Sequence, residues 1–263
     1  MGRRLPPIDL HSHVSSTVSP VDLERLGAVV FAATRSLDEY KTVKERNDPV
    51  TIWGVGCHPE VPASQEKYNE VKFEALIQST SFVSEVGLDG RSKIPIEVQE
   101  RVFNSIIHIV QRSPRIVSIH SSGAVEQVLD ALSRVPVKGA VLHWWRGNTS
   151  QTQRAIDLGC YFSVNWAGMK HREHISLIPL ERILTETDHP YGDRGASGPR
   201  QPGSVVGTEK KLADLHHLEA GKIRNQIWLN FATLVEAADV QHLLPGPVQR
   251  MVDFIRRSPS FKK

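Results

Sequence analysis

Ile8-Asp9-Leu10-His11-Ser12-His13 decides how this chain is read. A run short enough for one strand ends in two histidines two residues apart. In extended backbone alternate side chains share a face. His11 and His13 therefore point the same way, where both imidazoles can bind one ion, while Leu10 and Ser12 point elsewhere. The pattern of a short apolar run with chemistry at its far end returns along the chain. Runs at 7–10, 28–33, 51–55, 82–86, 116–119, 140–142, 161–164 and 182–185 predict eight strands. They are near-continuous in hydrophobicity, as parallel strands buried on both faces are. Between them lie stripes at helical spacing, such as Val98, Val102, Ile106, Ile109 and Val110, or Val125, Val128, Leu129 and Leu132. Eight such alternations with right-handed crossovers close a barrel or wind an open sheet. No G-x-G-x-x-G or Walker loop follows the first strand. The expectation is an α/β fold, a single (β/α)8 TIM barrel over residues 1–263, with a long loop at 193–207 and helix again from about Glu209.

The strand ends carry the function. His11 and His13 follow the first strand and His58 the third; Glu85 ends the fourth, and His120, His143 and Asp188 follow the fifth, sixth and eighth. In a barrel these positions open on one face, where enzymes of this fold place their chemistry. One histidine there is ordinary; five with two carboxylates predict a metal centre. His120 and His143, from adjacent strands, can hold a second ion, Glu85 can bridge both with its two oxygens, and Asp188 can ligate one while accepting a proton. Imidazole and carboxylate donors suit Zn²⁺, Mn²⁺, Ni²⁺ or Mg²⁺ without choosing among them. Two ions roughly 3.5–4 Å apart activate water and neutralise a developing oxyanion. Beside two cations Asp188 would have a low pKa and be ionised at neutral pH.

Composition sets the outer bounds. The 263 residues suit a barrel of roughly 250, and 40% hydrophobic content supplies a core. Cys57 and Cys160, the only cysteines, exclude a disulfide framework and a thiolate zinc site. A net charge of +3, from 32 basic and 29 acidic residues, neither argues for nucleic acid nor opposes it. The opening Met1-Gly-Arg-Arg-Leu-Pro-Pro has a basic pair but no apolar run, so no secretory or twin-arginine signal is expected. No segment approaches the roughly 18 apolar residues of a membrane helix. A soluble cytoplasmic protein is the expectation.

Several stretches together closely resemble the TatD family of metal-dependent deoxyribonucleases, a branch of the amidohydrolase-like barrels. They are Asp9-Leu-His-Ser-His13, Gly56-Cys-His-Pro59, Ser84-Glu-Val-Gly-Leu-Asp89, Gln99-Glu-Arg-Val-Phe103, Ile119-His-Ser121, Leu142-His143 and Thr185-Glu-Thr-Asp-His-Pro190. H-x-H alone is widespread, but H-x-H with G-x-H-P, E-x-G-L-D and E-T-D in this order is close to diagnostic. The resemblance implies a first ion at His11, His13, Glu85 and Asp188 and a second at Glu85, His120 and His143. It also implies Asp188 as general base, His58 as a non-ligand touching the substrate phosphate, and metal-dependent, commonly exonucleolytic hydrolysis of DNA, with single strands or 3' ends as partner. The chain departs from the pattern at Gly90, at Trp144-Trp145-Arg146 after His143, at Asn165-Trp166 and at His189, which puts substrate choice in question. The stretches around His120, His143 and Cys160 are most similar to the TatD-like component of bacterial Qat anti-phage defence systems, which implies protein partners in a defence complex.

The remaining candidates are weighed against plainer roles. Arg146 can bind a phosphate bidentately, and Asn165 is a substrate-contact candidate at the end of strand seven. Trp144, Trp145 or Trp166 can stack on bases for about 1–3 kcal/mol each, or pack between barrel and helices. His171 and His174 suit a solvated helix face better than a third metal site. His108, His216 and His217 are ordinary helix histidines, His189 suits a loop or the site rim equally, and the basic stretch 250–263 can contact nucleic acid but better suits a last helix turn, whose dipole favours cations, with a frayed end. Two other function classes share the ligand set: hydrolysis of an amide, lactone or ester by the same binuclear site, and a non-catalytic, metal-stabilised subunit.

Overall fold

In the computed structural model, residues 5–258 are described. The strands are β1 (Ile8–Ser12), β2 (Val29–Ala33), β3 (Thr51–Gly54), β4 (Phe82–Gly87), β5 (Ile116–His120), β6 (Ala140–Leu142), β7 (Tyr161–Val164) and β8 (Ile183–Thr185). All neighbours run parallel, in the order β1-β2-β3 and then β4 through β8. Two seams join these sheets into a barrel. Between β3 and β4, Val55 N donates to Phe82 O at 3.1 Å, Ser84 N to Val55 O at 3.0 Å and Cys57 N to Glu85 O at 2.9 Å. Between β8 and β1, Thr185 Oγ1 donates to Ile8 O at 2.6 Å, and beyond the strand Asp188 N donates to His11 O at 2.8 Å.

The eight expected strands are all present, but β1, β4 and β5 run one or two residues further. His11 and His120 therefore lie within strands instead of after them. Strand side chains are buried, as a barrel covered by helices requires, except that His120 at the rim is partly exposed. Helix Ile96–Arg112 turns Val102, Ile106, Ile109 and Val110 to the barrel, and helix Val125–Arg134 turns Val128, Leu129 and Leu132, as their spacing predicts. The helix expected near Glu209 starts at Val206. The basic stretch 250–263 falls partly on the helix Gly246–Arg257; residues 259–263 of it, and Met1 to Arg4, lie outside the described residues.

Asp9 ties the seam to the long loop. Its carboxylate accepts from Thr187 N at 2.7 Å, Thr187 Oγ1 at 2.6 Å and Gly203 N at 2.7 Å, all buried. Asp9→Ala would strand two buried backbone donors, each costing about 1–3 kcal/mol. At about 2–4 °C per kcal/mol for a chain of this size, melting should fall by roughly 4–24 °C. Thermal unfolding followed by circular dichroism checks this; a shift within about 2 °C would show that Asp9 does not hold the seam.

Candidate metal centre

Backbone geometry places the cluster. At the irregular point of β4, Glu85 N donates to Thr34 O at 3.0 Å while Glu85 O accepts from Cys57 N, so the strand leans inward toward β2 and β3. Two motif glycines permit this crowding. A Cβ on Gly56 would lie 1.6 Å from Thr34 O, and one on Gly87, whose φ is +137°, would lie 2.1 Å from His120 O. Glu85, only 2% exposed, thus stands at the mouth of the barrel with histidines on both sides.

Its two oxygens divide the cluster. Oε2 lies 3.5 Å from both His11 Nε2 and His13 Nε2, and Asp188 Oδ1 lies 3.8 and 3.6 Å from the same nitrogens. Oε1 lies 2.6 Å from His120 Nδ1 and 3.0 Å from His143 Nε2, which are themselves 3.4 Å apart. Donor atoms about 2.1 Å from one tetrahedral ion lie roughly 3.4 Å apart, so the first set has the spacing of a shared cation. His11 Nε2 adds a second sign: it is buried without a hydrogen-bond partner, while its Nδ1 sits 2.7 Å from Ser118 Oγ. An unpaired buried nitrogen is costly unless something is bound to it. The residues present therefore fit a divalent metal ion, and the His, Asp and Glu donors form a cluster able to bind one.

Electrostatics points the same way. Burial opposes charge on Glu85, but His58, His143, His11 and His120 outweigh it and hold its carboxyl well below the usual range. Burial likewise opposes charge on His120, yet hydrogen bonds to Asp89 and Glu85 raise it to about 9. Burial, with His143 beside it, pushes His11 down to about 4, leaving it a neutral imidazole. Asp188 departs from the sequence expectation. Burial first, then Glu186 and Glu85, push it well above the carboxylate range despite His143. The low value expected for Asp188 requires the cations themselves.

The other sequence candidates scatter. His58 joins the cluster: its Nδ1 accepts from Glu60 N at 3.0 Å, so Nε2 carries the proton and donates to Glu85 Oε2 at 3.0 Å. Arg146 and Trp144 line the cavity above the cluster, Arg146 exposed. Asn165 is not brought there. It is fully buried, donating to Glu186 Oε1 at 3.0 Å and accepting from Gly168 N at 2.7 Å, so both ends of its amide are spent inside the fold. Trp145 is core, packed on Phe162 and bonded to Thr152, and Trp166 lies under Lys211, so neither faces the cavity. His189 is held 2.7 Å from Asp193 within the loop, and His171 lies exposed just before the short helix Arg172–Ile175, which carries His174.

Residues 8–236 match the model of the TatD-related DNase family. The chain belongs to that family. Over 199 residues it is 26% identical to an uncharacterised metal-dependent hydrolase of Haemophilus influenzae, covering 68% of this chain and 74% of that one. It is 32% identical over 149 residues to the 3'-5' ssDNA/RNA exonuclease TatD of Citrobacter koseri, covering 52% of this chain and 56% of the relative. The alignments thus span about half to three quarters of these relatives' lengths. A solved TatD homologue of Escherichia coli K12 superposes with a TM-score of 0.75 at 22% identity, over 88% of this chain and 98% of the other, a likeness of fold. Within the TatD-type motifs, sequence reading missed Asp9, Asp89 and Glu186, all buried carboxylates. For Asp9 the available signal was an acid embedded in an apolar run, which is rare unless the acid is paired. It also missed Tyr191, exposed at the cavity mouth beside His13.

Proposed function

We propose that this chain is a divalent-metal-dependent phosphodiesterase that shortens single-stranded DNA from an end. His11, His13, Glu85 and Asp188 would hold one ion and Glu85, His120 and His143 a second. When bound, such ions supply Lewis-acid activation of water and neutralisation of charge on the phosphate. The chain's own groups do the rest. Asp188 accepts the proton of the attacking water. His58 presents an N–H that can donate to a phosphate oxygen, and Arg146 binds a neighbouring phosphate.

The observation carrying this reading is the setting of the cluster. It lies under a cavity of about 1120 Å³, larger than the roughly 300–1,000 Å³ of small-ligand sites. Arg35, Arg91, Arg146, Lys170 and Arg194 line it, and no described carboxylate pairs with Arg91, Arg146 or Lys170. Trp144 and Tyr191 stand at the same mouth, offering faces on which bases can stack. Unpaired cations and aromatic faces suit a polyanion of several nucleotides better than a lactone or amide. The name of the Citrobacter relative supports an exonuclease acting on single strands. The departures after His143 and the likeness to the Qat component support a place in bacterial defence beside protein partners. No described helix is long and apolar enough to cross a membrane.

The test offers labelled single-stranded DNA, duplex DNA, RNA and a lactone panel, each with Mn²⁺ and with chelator. Stepwise shortening of single strands that chelator stops is the expected result; turnover of a lactone with no nucleic acid cleaved would overturn the reading. Arg146→Ala should weaken oligonucleotide binding and reduce the slope of log affinity against log salt by about 0.7, the share of one phosphate contact on a single strand. Binding measured at several salt concentrations checks this, and an unchanged slope removes Arg146 from the contact.

A further inference from the structure

Behind His120 and His143 stand two more carboxylates. Each histidine has Glu85 Oε1 at one nitrogen and a second acid at the other. His120 Nε2 lies 2.6 Å from Asp89 Oδ2, and His143 Nδ1 lies 3.6 Å from Glu186 Oε1. Nδ1 of His143 has no hydrogen-bond partner, so Glu186 reaches it by charge alone, whereas in the other pair the second nitrogen of His11 meets the neutral hydroxyl of Ser118 and Nδ1 of His13 is unpaired with no acid beside it. We infer that Asp89 is a positioning residue that fixes the tautomer of His120 through its hydrogen bond, and that Glu186 biases that of His143 through its charge, so that each ring offers its lone pair to an ion shared with Glu85.

The chemistry follows from the imidazole ring. A neutral ring has one N–H and one lone pair; an ion at the nitrogen beside Glu85 takes the lone pair, so the proton belongs on the nitrogen that faces the second acid. With Asp89 at Nε2, the lone pair of His120 is placed on Nδ1, beside Glu85. A carboxylate there also makes the ring a stronger donor. Both acids are built for this duty. Asp89 is 3% exposed and Glu186 fully buried, where an unpaired carboxylate would be costly. Asp89 anchors its loop through other atoms: its N donates to Gln99 Oε1 at 2.8 Å, its O accepts from Gln99 Nε2 at 3.1 Å, and its Oδ1 accepts from Arg91 N at 2.6 Å. Oδ2 is left for His120. Glu186 is held by Ser163, Asn165 and, at 2.9 Å, the backbone N of Trp144. One buried acid therefore links His143 to the aromatic at the cavity mouth.

The inference rests on the proposal that His120 and His143 hold an ion. Asp89→Asn separates the duties. Asn keeps Oδ1 for Arg91 N–H and both Gln99 bonds, but its NH₂ faces His120 Nε2 and favours the opposite tautomer. Metal-free wild type, Asp89→Asn and Glu186→Gln would be titrated with Mn²⁺, counting bound ions, and the histidine tautomers of the Zn²⁺-loaded proteins read by ¹⁵N NMR. Each variant is expected to weaken one ion by about 10–100-fold and leave the other unchanged, with the N–H of His120 moving from Nε2 to Nδ1 in Asp89→Asn. Glu186→Gln carries the same comparison at His143 if Asp89→Asn does not fold. Wild-type constants for both ions in the variants, or equal weakening of both ions with no tautomer change, would overturn the inference. A wild type that binds fewer than two ions would instead overturn the two-ion reading on which it rests.

Discussion

Glu85→Gln is expected to lose both ions and with them all measurable turnover. Glu85 Oε2 faces His11 and His13, and Oε1 faces His120 and His143, so one substitution reaches both clusters. Gln keeps the volume but replaces one oxygen with an NH₂ that meets histidine nitrogens at 2.6–3.0 Å or 3.5 Å, whichever way it is turned. The negative charge that the surrounding imidazoles now share is lost as well. Several kcal/mol of metal-borne charge stabilisation disappear, and at about 1.4 kcal/mol per decade that is on the order of 10³-fold or more in rate. His143→Ala is the contrasting variant, since it removes one ligand from one cluster and should leave the His11–His13 ion in place. Ion counts and rates measured side by side decide the matter. Two tightly bound ions in Glu85→Gln would show that the carboxylate does not bridge.

Asp188→Asn should still bind DNA while cleaving it at least about a hundredfold more slowly, since general-base assistance is worth typically 10²–10⁴-fold. Asp188 has a φ of +44°, a left-handed conformation that Asn adopts more readily than most residues, so the backbone is not strained by the change. The variant keeps one oxygen 3.6–3.8 Å from the histidine nitrogens, but an amide is too weak a base to take a proton at neutral pH. Single-turnover rates and oligonucleotide affinity, measured on the same preparation, separate the two roles. A wild-type rate would remove Asp188 as the base; a loss of DNA affinity equal to the loss of rate would make it a binding group only.

Much of this was legible because parallel barrel strands are buried on both faces and so appear as plain apolar runs. The histidines stood out at the ends of such runs, and the H-x-H spacing alone put His11 and His13 on one face. Strand ends were less legible: a strand can continue through His11 or His120 when the barrel rim shields their polar atoms, and composition does not record that shielding. Asn165 and Trp145 illustrate the main gap. Both sit beside the rim in sequence, yet side-chain direction is set by what lies across the barrel, Glu186 for Asn165 and Phe162 with Thr152 for Trp145. For the same reason Asp9, Asp89 and Glu186 looked like parts of motifs without duties. Their partners, Thr187, His120 and His143, are distant in sequence or on the neighbouring strand. The long loop was expected as plain turn residues, but Asp193, buried and paired with His189 and Arg200, gives it internal order.

We propose that six side chains hold two divalent ions in support of phosphodiester hydrolysis. This is tested most directly by stripping the protein of metal and titrating Mn²⁺ back. Ions per chain, from elemental analysis, and hydrolysis of a labelled single-stranded oligonucleotide are followed together. No hydrolysis by the stripped protein, a rate that rises with occupancy, and saturation at two ions per chain are expected. A protein that binds no ion when supplied with Mn²⁺, Zn²⁺ or Mg²⁺, or that cleaves at its full rate while holding none, would contradict the proposal.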